Sequence, residues 1–417
     1  MSGSLDGIRV VEFAHIMAGP VCGLMLADMG ADVIKVERLP GGDGTRGFVP
    51  PDVDGESAAF MMLNRGKRGV ALDLRSEEGR SAARRLVAGA DVVLENFRVG
   101  TMERMGLGWD VLHESNPRLV YGQITGFGRT GPLASQGGFD LIAQGYSGLQ
   151  SVTGEGPGRP PVKVGAPVTD ITAGILMAFG VVSALFERER TGRGQRVDTS
   201  LLEAGITQTF WQSAIALASG VSPGPLGSAH PLSAPYQAFR TSDGYINVGA
   251  SNQATWRRLT GALEAPEIGE DERFVTNAAR LTNLDVLVAE LEPRFLAKPS
   301  DVWLEILAGA GVPAGPIASV GEMLEHPQTL AREMVVETEH TRLGTVRSLG
   351  TPLKMSGGGV RDVTERDRVA RDEGQPDAAT RRGAPMLGEH TRVVLAEAGL
   401  SPGEIDALVS GGHATAG

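Results

Sequence analysis

Five short apolar runs separated by helix-compatible sequence constrain this chain most. They read IRVVEFA (8–14), DVIKVER (32–38), VALDL (70–74), DVVLENF (91–97) and RLVYGQIT (118–125). Between them, residues from Pro20 to Met29 read as a helix, with Pro early and Gly30 just past its end, and a second helix is predicted from Ser76 to Ala88. Strands alternating with helices imply an α/β fold: a mostly parallel sheet with helices on both faces. A long helix is predicted from Asp170 to about Arg190. In it Ile171, Ile175, Phe179, Val182 and Phe186 recur at helical spacing and are expected to face the core, and Gly192 and Gly194 end it. QRVDTSLLEAGITQTFW then reads as a strand followed by a helix.

The texture changes near residue 220. SGVSPGPLGSAHPLSAP (219–235) is rich in Gly, Pro and Ser and reads as a linker or binding loop. Residues 236–325 mix short strands such as YINVGA with helices, which suggests a smaller α/β unit. The polar stretch 357–383 is expected to be a mobile loop, and HTRVVLAEAGL and SPGEIDALVS close the chain as two short helices.

Composition excludes several classes. The net charge of −11 argues against a nucleic-acid or anionic-membrane partner, although not against a local basic pocket. The single cysteine, Cys22, rules out an intrachain disulfide framework; it lies in an apolar helix and reads as core. The seven histidines are scattered without metal-ligand spacing, so no metal is expected. With neither a signal-like N-terminus nor a run of about 18 apolar residues, a cytoplasmic protein with no membrane span is expected.

Three features could carry chemistry. GFGRTG (126–131) matches GxGxxG, but Pro132 and ASQGGFD follow where a dinucleotide site needs a helix, so it reads as a Gly-rich loop. Arg38, Lys67, Arg68, Arg98 and Arg104 recur near strand ends, where α/β sheets bind ligands. They are either a polyphosphate site or merely solvated cations. Asp170 stands where the long helix begins. It is either an N-cap or a nucleophile placed where a helix N-terminus stabilises negative charge. The small residues Thr172, Ala173 and Gly174 that follow would let a bulky ligand approach the backbone.

At this point the motifs resemble a known family. GIRVVEFAHIMAGPVCGLMLADMGADVIKVER, LDLRSEEG, DVVLENFRVGTMERMGLGW, TGFGRTGP, VTDITAG and ERERTGRGQRVD are similar to class III CoA-transferases of the CaiB/BaiF type, from about residue 5 to LGEH at 387–390. The resemblance implies a Rossmann-like large domain built from both ends of the chain, 1–220 and 331–417, with a small domain at 221–330. It also implies an interlinked homodimer, and acyl-CoA thioesters and small carboxylic acids as substrates, with no permanently bound cofactor.

Carried over residue by residue, the nucleophile falls on Asp170. CoA contacts fall on His15, Met17, Ala18, Arg38, Leu72, Asp73, Leu74, Arg75, Asn96, Phe97, Arg98, Arg104 and the Gly137–Asp140 stretch with Phe139 and Asp140. Asp170 would then cap its helix and form an aspartyl-CoA thioester, with backbone N–H groups near Ala18 as oxyanion donors. Met17 stands where the oxalate-handling members carry Gln, and PGPLGSAHP where they carry a glycine run, which argues against formate–oxalate exchange. GSAHPLSAPYQAF (227–239) resembles the loop of members that use short dicarboxylates. Arg46, His230 and Ser233 are candidates for holding a second carboxylate, each with a structural-loop role as the alternative. The same fold hosts α-methylacyl-CoA racemases, whose GHD stands where this chain has Gly138-Phe139-Asp140. Phe139 cannot exchange a proton, which disfavours racemisation. A non-catalytic CoA-binding protein is the third alternative.

Overall fold

The computed structural model describes residues 3–356 and 382–417. The chain divides into two compact units. The first comprises Met1–Ser147, Gly165–Gln208 and Pro327–Gly417; the second comprises Gly148–Val164 and Thr209–His326. Residues 148–164 and 209–220, placed by sequence in the large domain, cluster with the second unit instead. The predicted loop at 357–383 lies, but for its last two residues, outside the described residues.

The first unit is built on a seven-stranded sheet. Its strands are β1 (Arg9–Glu12), β2 (Asp32–Arg38), β3 (Arg68–Leu72), β4 (Val92–Glu95), β5 (Val120–Thr125), β6 (Arg196–Ser200) and β7 (Ala414–Thr415). The spatial order is β7-β3-β2-β1-β4-β5-β6, with every pairing parallel except β7 on β3. Strands β1 to β6 therefore follow the doubly wound order 3-2-1-4-5-6, which reverses direction between β1 and β4. Val10, Val11, Val92, Val93 and Val120 are completely buried, as expected of strands covered on both faces.

Helices pack on both faces. On one side α1 (Ala18–Asp28), α2 (Val168–Thr191) and α3 (Leu201–Thr207) enclose a core that includes Cys22, Leu26, Met177 and Val181. Helices Glu77–Ala88, Thr391–Glu397 and Pro402–Ser410 cover the other face. Helix α2 corrects the expectation drawn from its periodicity. Its buried face is Ala173, Gly174, Met177, Ala178, Val181, Ala184 and Leu185, whereas Ile175, Phe179 and Phe186 are exposed, Phe179 by 73%. The reason is steric. A Cβ at Gly174 would lie 2.6 Å from the Ala18 carbonyl oxygen, so the small-residue face lets α1 and α2 approach closely while the bulky stripe stays outside. Gly174 thus serves helix packing, not ligand approach. By length and hydropathy α2 would suit a membrane span, but this inner face packs on α1 as a core helix does.

The second unit carries an antiparallel three-stranded sheet, Tyr236–Arg240, Tyr245–Gly249 and Ala314–Pro316, backed by helices around Trp256, Phe295 and Trp303.

Candidate active site

A cavity of about 410 Å³ opens beyond the carboxyl ends of β1, β4 and β5. It is lined by His15–Ala18 after β1, by Asn96–Val99 and Thr101 after β4, and by Ile124–Gly126 at the end of β5. Ala134, Gln136–Phe139, Asp170 and Leu201 complete it. This is the topological switch point of the sheet, where open α/β folds bind ligands. The β1–α1 turn reads AHIMAG rather than a glycine fingerprint, and GFGRTG follows β5 with no helix before Asp140, so neither turn forms a dinucleotide cradle.

The β1–α1 turn is held from several sides. Asn96 accepts from His15 N at 2.9 Å and donates to His15 O at 2.8 Å. Lys35 Nζ donates to Ala14 O at 2.9 Å. Asp43 accepts from Ile16 N at 3.1 Å. Ile16 takes φ +68°, a region that β-branched residues rarely enter. Met17 and Ala18 then open α1, and the first N–H groups of a helix have no intrahelical acceptor. The His15 ring stacks on Phe97 at 5.3 Å; burial lowers its pKa, with Lys35 and Arg38 adding to the effect against Asp43.

Asp170 is not the N-cap. Helix α2 starts at Val168 after Pro167, which makes Asp170 its third residue. Asp140 supplies the cap from outside: its Oδ1 accepts from Thr169 N at 3.0 Å and from Thr169 Oγ1 at 2.8 Å, while Oδ2 accepts from Gln144 Nε2 at 2.8 Å. Asp140 is therefore a brace for the α2 start and does not line the cavity. Among the described residues no group hydrogen-bonds the Asp170 carboxylate. Burial, and then the neighbouring Asp140 charge, push its pKa up to about 7.

The sequence-derived cations separate into two sets. Arg98 lines the cavity and lies against Gly137, where a Cβ would come within 2.9 Å of its Nη2. Among the described residues the Arg38 side chain donates to the Gly42 carbonyl and the Arg104 side chain to Thr101 Oγ1, and neither lines this cavity. None of these three has a carboxylate partner among the described residues. Lys67 and Arg68, by contrast, stand at the amino end of β3. Lys67 is fully buried on Glu12 (2.8 Å), Pro20 O and Asn64, and Arg68 pairs with Asp32 and Glu397. Both are structural.

Other expected contacts lie away from the cavity. The Leu72 side chain is completely buried, and Leu74 packs at the edge of the same core. Asp73 and Arg75 pair with each other at 2.8 Å. Arg46 is committed elsewhere: it grips Glu37 through Nε (2.7 Å) and Nη2 (2.8 Å), donates to Pro385 O at 2.9 Å, and lies over the Phe60 ring. This is a fold-stabilising arrangement and leaves it no free fork for a substrate carboxylate. In the second unit, His230 Nδ1 accepts from Leu232 N and its ring meets Tyr236, while Asn277 and the buried Arg280 clamp the backbone on either side of Ser233. The 228–235 segment is thus an ordered loop of that unit.

Sequence reasoning missed the buried network behind the turn, in which Glu12, Lys35 and Lys67 are all fully buried and Asp43 nearly so. Lys35 bridges Glu12 (3.1 Å) and Asp43 (2.8 Å). Charged residues inside strand runs, Glu12 in RVVE and Lys35 in DVIKVER, were the available signal, since a charge buried on both sides must be paired.

The family model for CoA-transferase family III matches residues 5–391. A succinate–glutarate CoA-transferase of Agrobacterium fabrum is 40% identical over 399 residues, covering 94% of this chain and 95% of that protein. A succinyl-CoA:mesaconate CoA-transferase of Haloarcula marismortui is 38% identical over 413 residues, covering 96% and 98%. Among solved structures, a CAIB/BAIF family protein from Brucella suis superposes with a TM-score of 0.80 at 42% identity, covering 95% of this chain and 100% of that one. This chain belongs to CoA-transferase family III and is an enzyme of that class.

Proposed function

We propose that the protein moves CoA from a short acyl-CoA to a dicarboxylic acid, with Asp170 as nucleophile. The observation that carries this is a carboxylate without a hydrogen-bond partner among the described residues, raised to about 7, in a cavity at the sheet's switch point. The substrates named for the two relatives above support the acyl class.

Ionised Asp170 attacks the thioester carbonyl; the C–S bond breaks, giving a mixed anhydride and CoA thiolate. The thiolate attacks the Asp170 carbonyl of the anhydride, releasing the donor acid and leaving an aspartyl-CoA thioester. The acceptor carboxylate attacks that thioester, and the thiolate returns to the acceptor carbonyl, regenerating Asp170. Each step exchanges one activated acyl bond for another, so no other energy source is required. The N–H groups that open α1 stabilise the developing oxyanions, and Arg98 meets negative charge on the ligand. Arg38, at the end of β2, and Arg104, in the short helix that follows β4, serve the CoA phosphates.

A racemase would need a proton carrier where Phe139 stands, and a hydrocarbon ring supplies none. The exposed Ile175, Phe179 and Phe186 on α2, together with Phe210, Trp211 and Leu217 on a helix of the second unit with no buried residues, support a second copy of the chain as partner.

The test is mass spectrometry of CoA esters after mixing the protein with succinyl-CoA and a pool of acids. A dicarboxylate is expected to outcompete a monocarboxylate of equal length, and the new ester is expected to vanish in Asp170→Asn. Equal rates for the two acids would overturn the acceptor class. Exchange of α-deuterium without a new ester would overturn transfer itself.

A further inference from the structure

Resting on the reading of Asp170 as nucleophile, we propose that Asp43 is a positioning residue that holds Ile16 in its left-handed turn and so aims the first N–H groups of α1 into the cavity. Ile16 at φ +68° is a β-branched residue where glycine is the usual occupant, and such a conformation persists only where its surroundings over-determine it. Here they do. Both Asp43 oxygens accept from Ile16 N, at 3.1 and 3.2 Å. Asp43 is itself immobilised: Oδ1 accepts from Thr45 N and Oγ1 at 2.9 Å each, and Oδ2 meets buried Lys35 at 2.8 Å. Lys35 ties the same point to Ala14 O and to Glu12. Backbone groups of residues 14, 15 and 16 are thus each bound by a side chain from another segment. The next two residues line the cavity and carry N–H groups with no acceptor among the described residues.

Strain of this kind, maintained by a buried ion pair behind a turn that lines the same cavity as Asp170, is what preorganised donors require, because they must not reorient as charge develops. It also accounts for an isoleucine where a glycine would cost nothing. A glycine would hold this φ without help, whereas Ile16 holds it only while Asp43 binds its N–H.

The experiment compares Asp43→Ala with Asp43→Ala/Ile16→Gly, following CoA-ester exchange and determining crystal structures of both. Asp43→Ala is expected to let the turn relax to negative φ and to lower kcat about tenfold or more, with the KM for acyl-CoA changed less than about threefold, because the lost interaction belongs to the transition state. Adding Ile16→Gly is expected to restore the turn and recover most of kcat, since glycine enters this region without penalty. An unrelaxed turn in Asp43→Ala, a relaxed turn with unchanged kcat, or no recovery by glycine would each overturn the proposal. Should Asp43→Ala not fold, Asp43→Asn keeps an oxygen for Ile16 N–H and is expected to retain most of kcat; a tenfold loss there overturns the proposal. If the wild-type protein makes no new CoA ester, the transferase reading fails by itself, while the φ of residue 16 in each variant still reads the turn.

Discussion

Asp43 and Asp170 are both largely buried carboxylates of the first unit, yet their environments drive them in opposite directions. Burial raises both. At Asp43, however, Lys35 and the N–H groups of Thr45 and Ile16 outweigh burial and hold the carboxyl far below the usual range. At Asp170 no group among the described residues offsets burial, Asp140 adds to it, and the value reaches about 7. The consequences for stability carry opposite signs. Asp43 stabilises the fold above its unfolded value near 3.8, and that contribution is lost as pH falls below it. Asp170 favours the fold only while protonated, a contribution lost as pH rises from 3.8 through about 7. A paired buried charge makes architecture. An unpaired one is held at a cost to stability, and in a ligand-sized cavity that cost points to chemistry.

The sharpest way to break this contrast is Asp170→Asn. On the proposed reading of Asp170 as nucleophile, transfer is expected to fall about 10⁴-fold or more, while unfolding in urea above pH 7 shows a gain of up to about 4 kcal/mol. Loss of activity with loss of stability would place Asp170 among the architectural acids. Next, Lys35→Met leaves Asp43 and Glu12 without their shared cation and is expected to cost about 3–5 kcal/mol in the same assay. An unchanged midpoint would mean that Asp43 is not held by charge.

Arg98→Gln removes a cavity cation that has no carboxylate partner among the described residues. It is expected to raise the KM for acyl-CoA about tenfold, with a smaller change in kcat and a weaker salt dependence. A lowered kcat at constant KM would assign Arg98 to the transition state instead. The smallest effect concerns the brace. The rise of kcat/KM with pH should centre near 7 in the wild type, because the nucleophile role proposed for Asp170 requires it to ionise before it attacks. In Asp140→Asn the amide oxygen still accepts from Thr169, but the like charge is gone, so the rise moves to lower pH; most of the elevation remains because burial is the larger cause.

Much of the site was legible before the fold. Strand–helix alternation identified the sheet, and the residues immediately after strands, His15–Ala18 and Asn96–Arg98, do line one cavity. What misled was chemistry judged by residue type alone. Arg46 and Lys67 looked like ligand cations, but their partners Glu37 and Glu12 come from other strands and cannot be matched to them by spacing. Spacing alone favours the outer stripe of α2 as core because the helix is apolar on most of its circumference. Only the close approach of Ala18 to Gly174 decides which stripe is inside. Local pattern offers Asp170 as its own helix cap because nothing in it shows that Asp140, thirty residues earlier, performs that task.

By itself the sequence determined the alternation that builds a doubly wound sheet, the family, and the acid that stands at the start of a helix. These depend on local periodicity and on motifs within short stretches. The tertiary structure alone decided which charges are paired. Pairing depends on distances between segments far apart in the chain, and in a low-dielectric interior those distances decide whether a carboxylate is fixed as an anion or poised near neutrality.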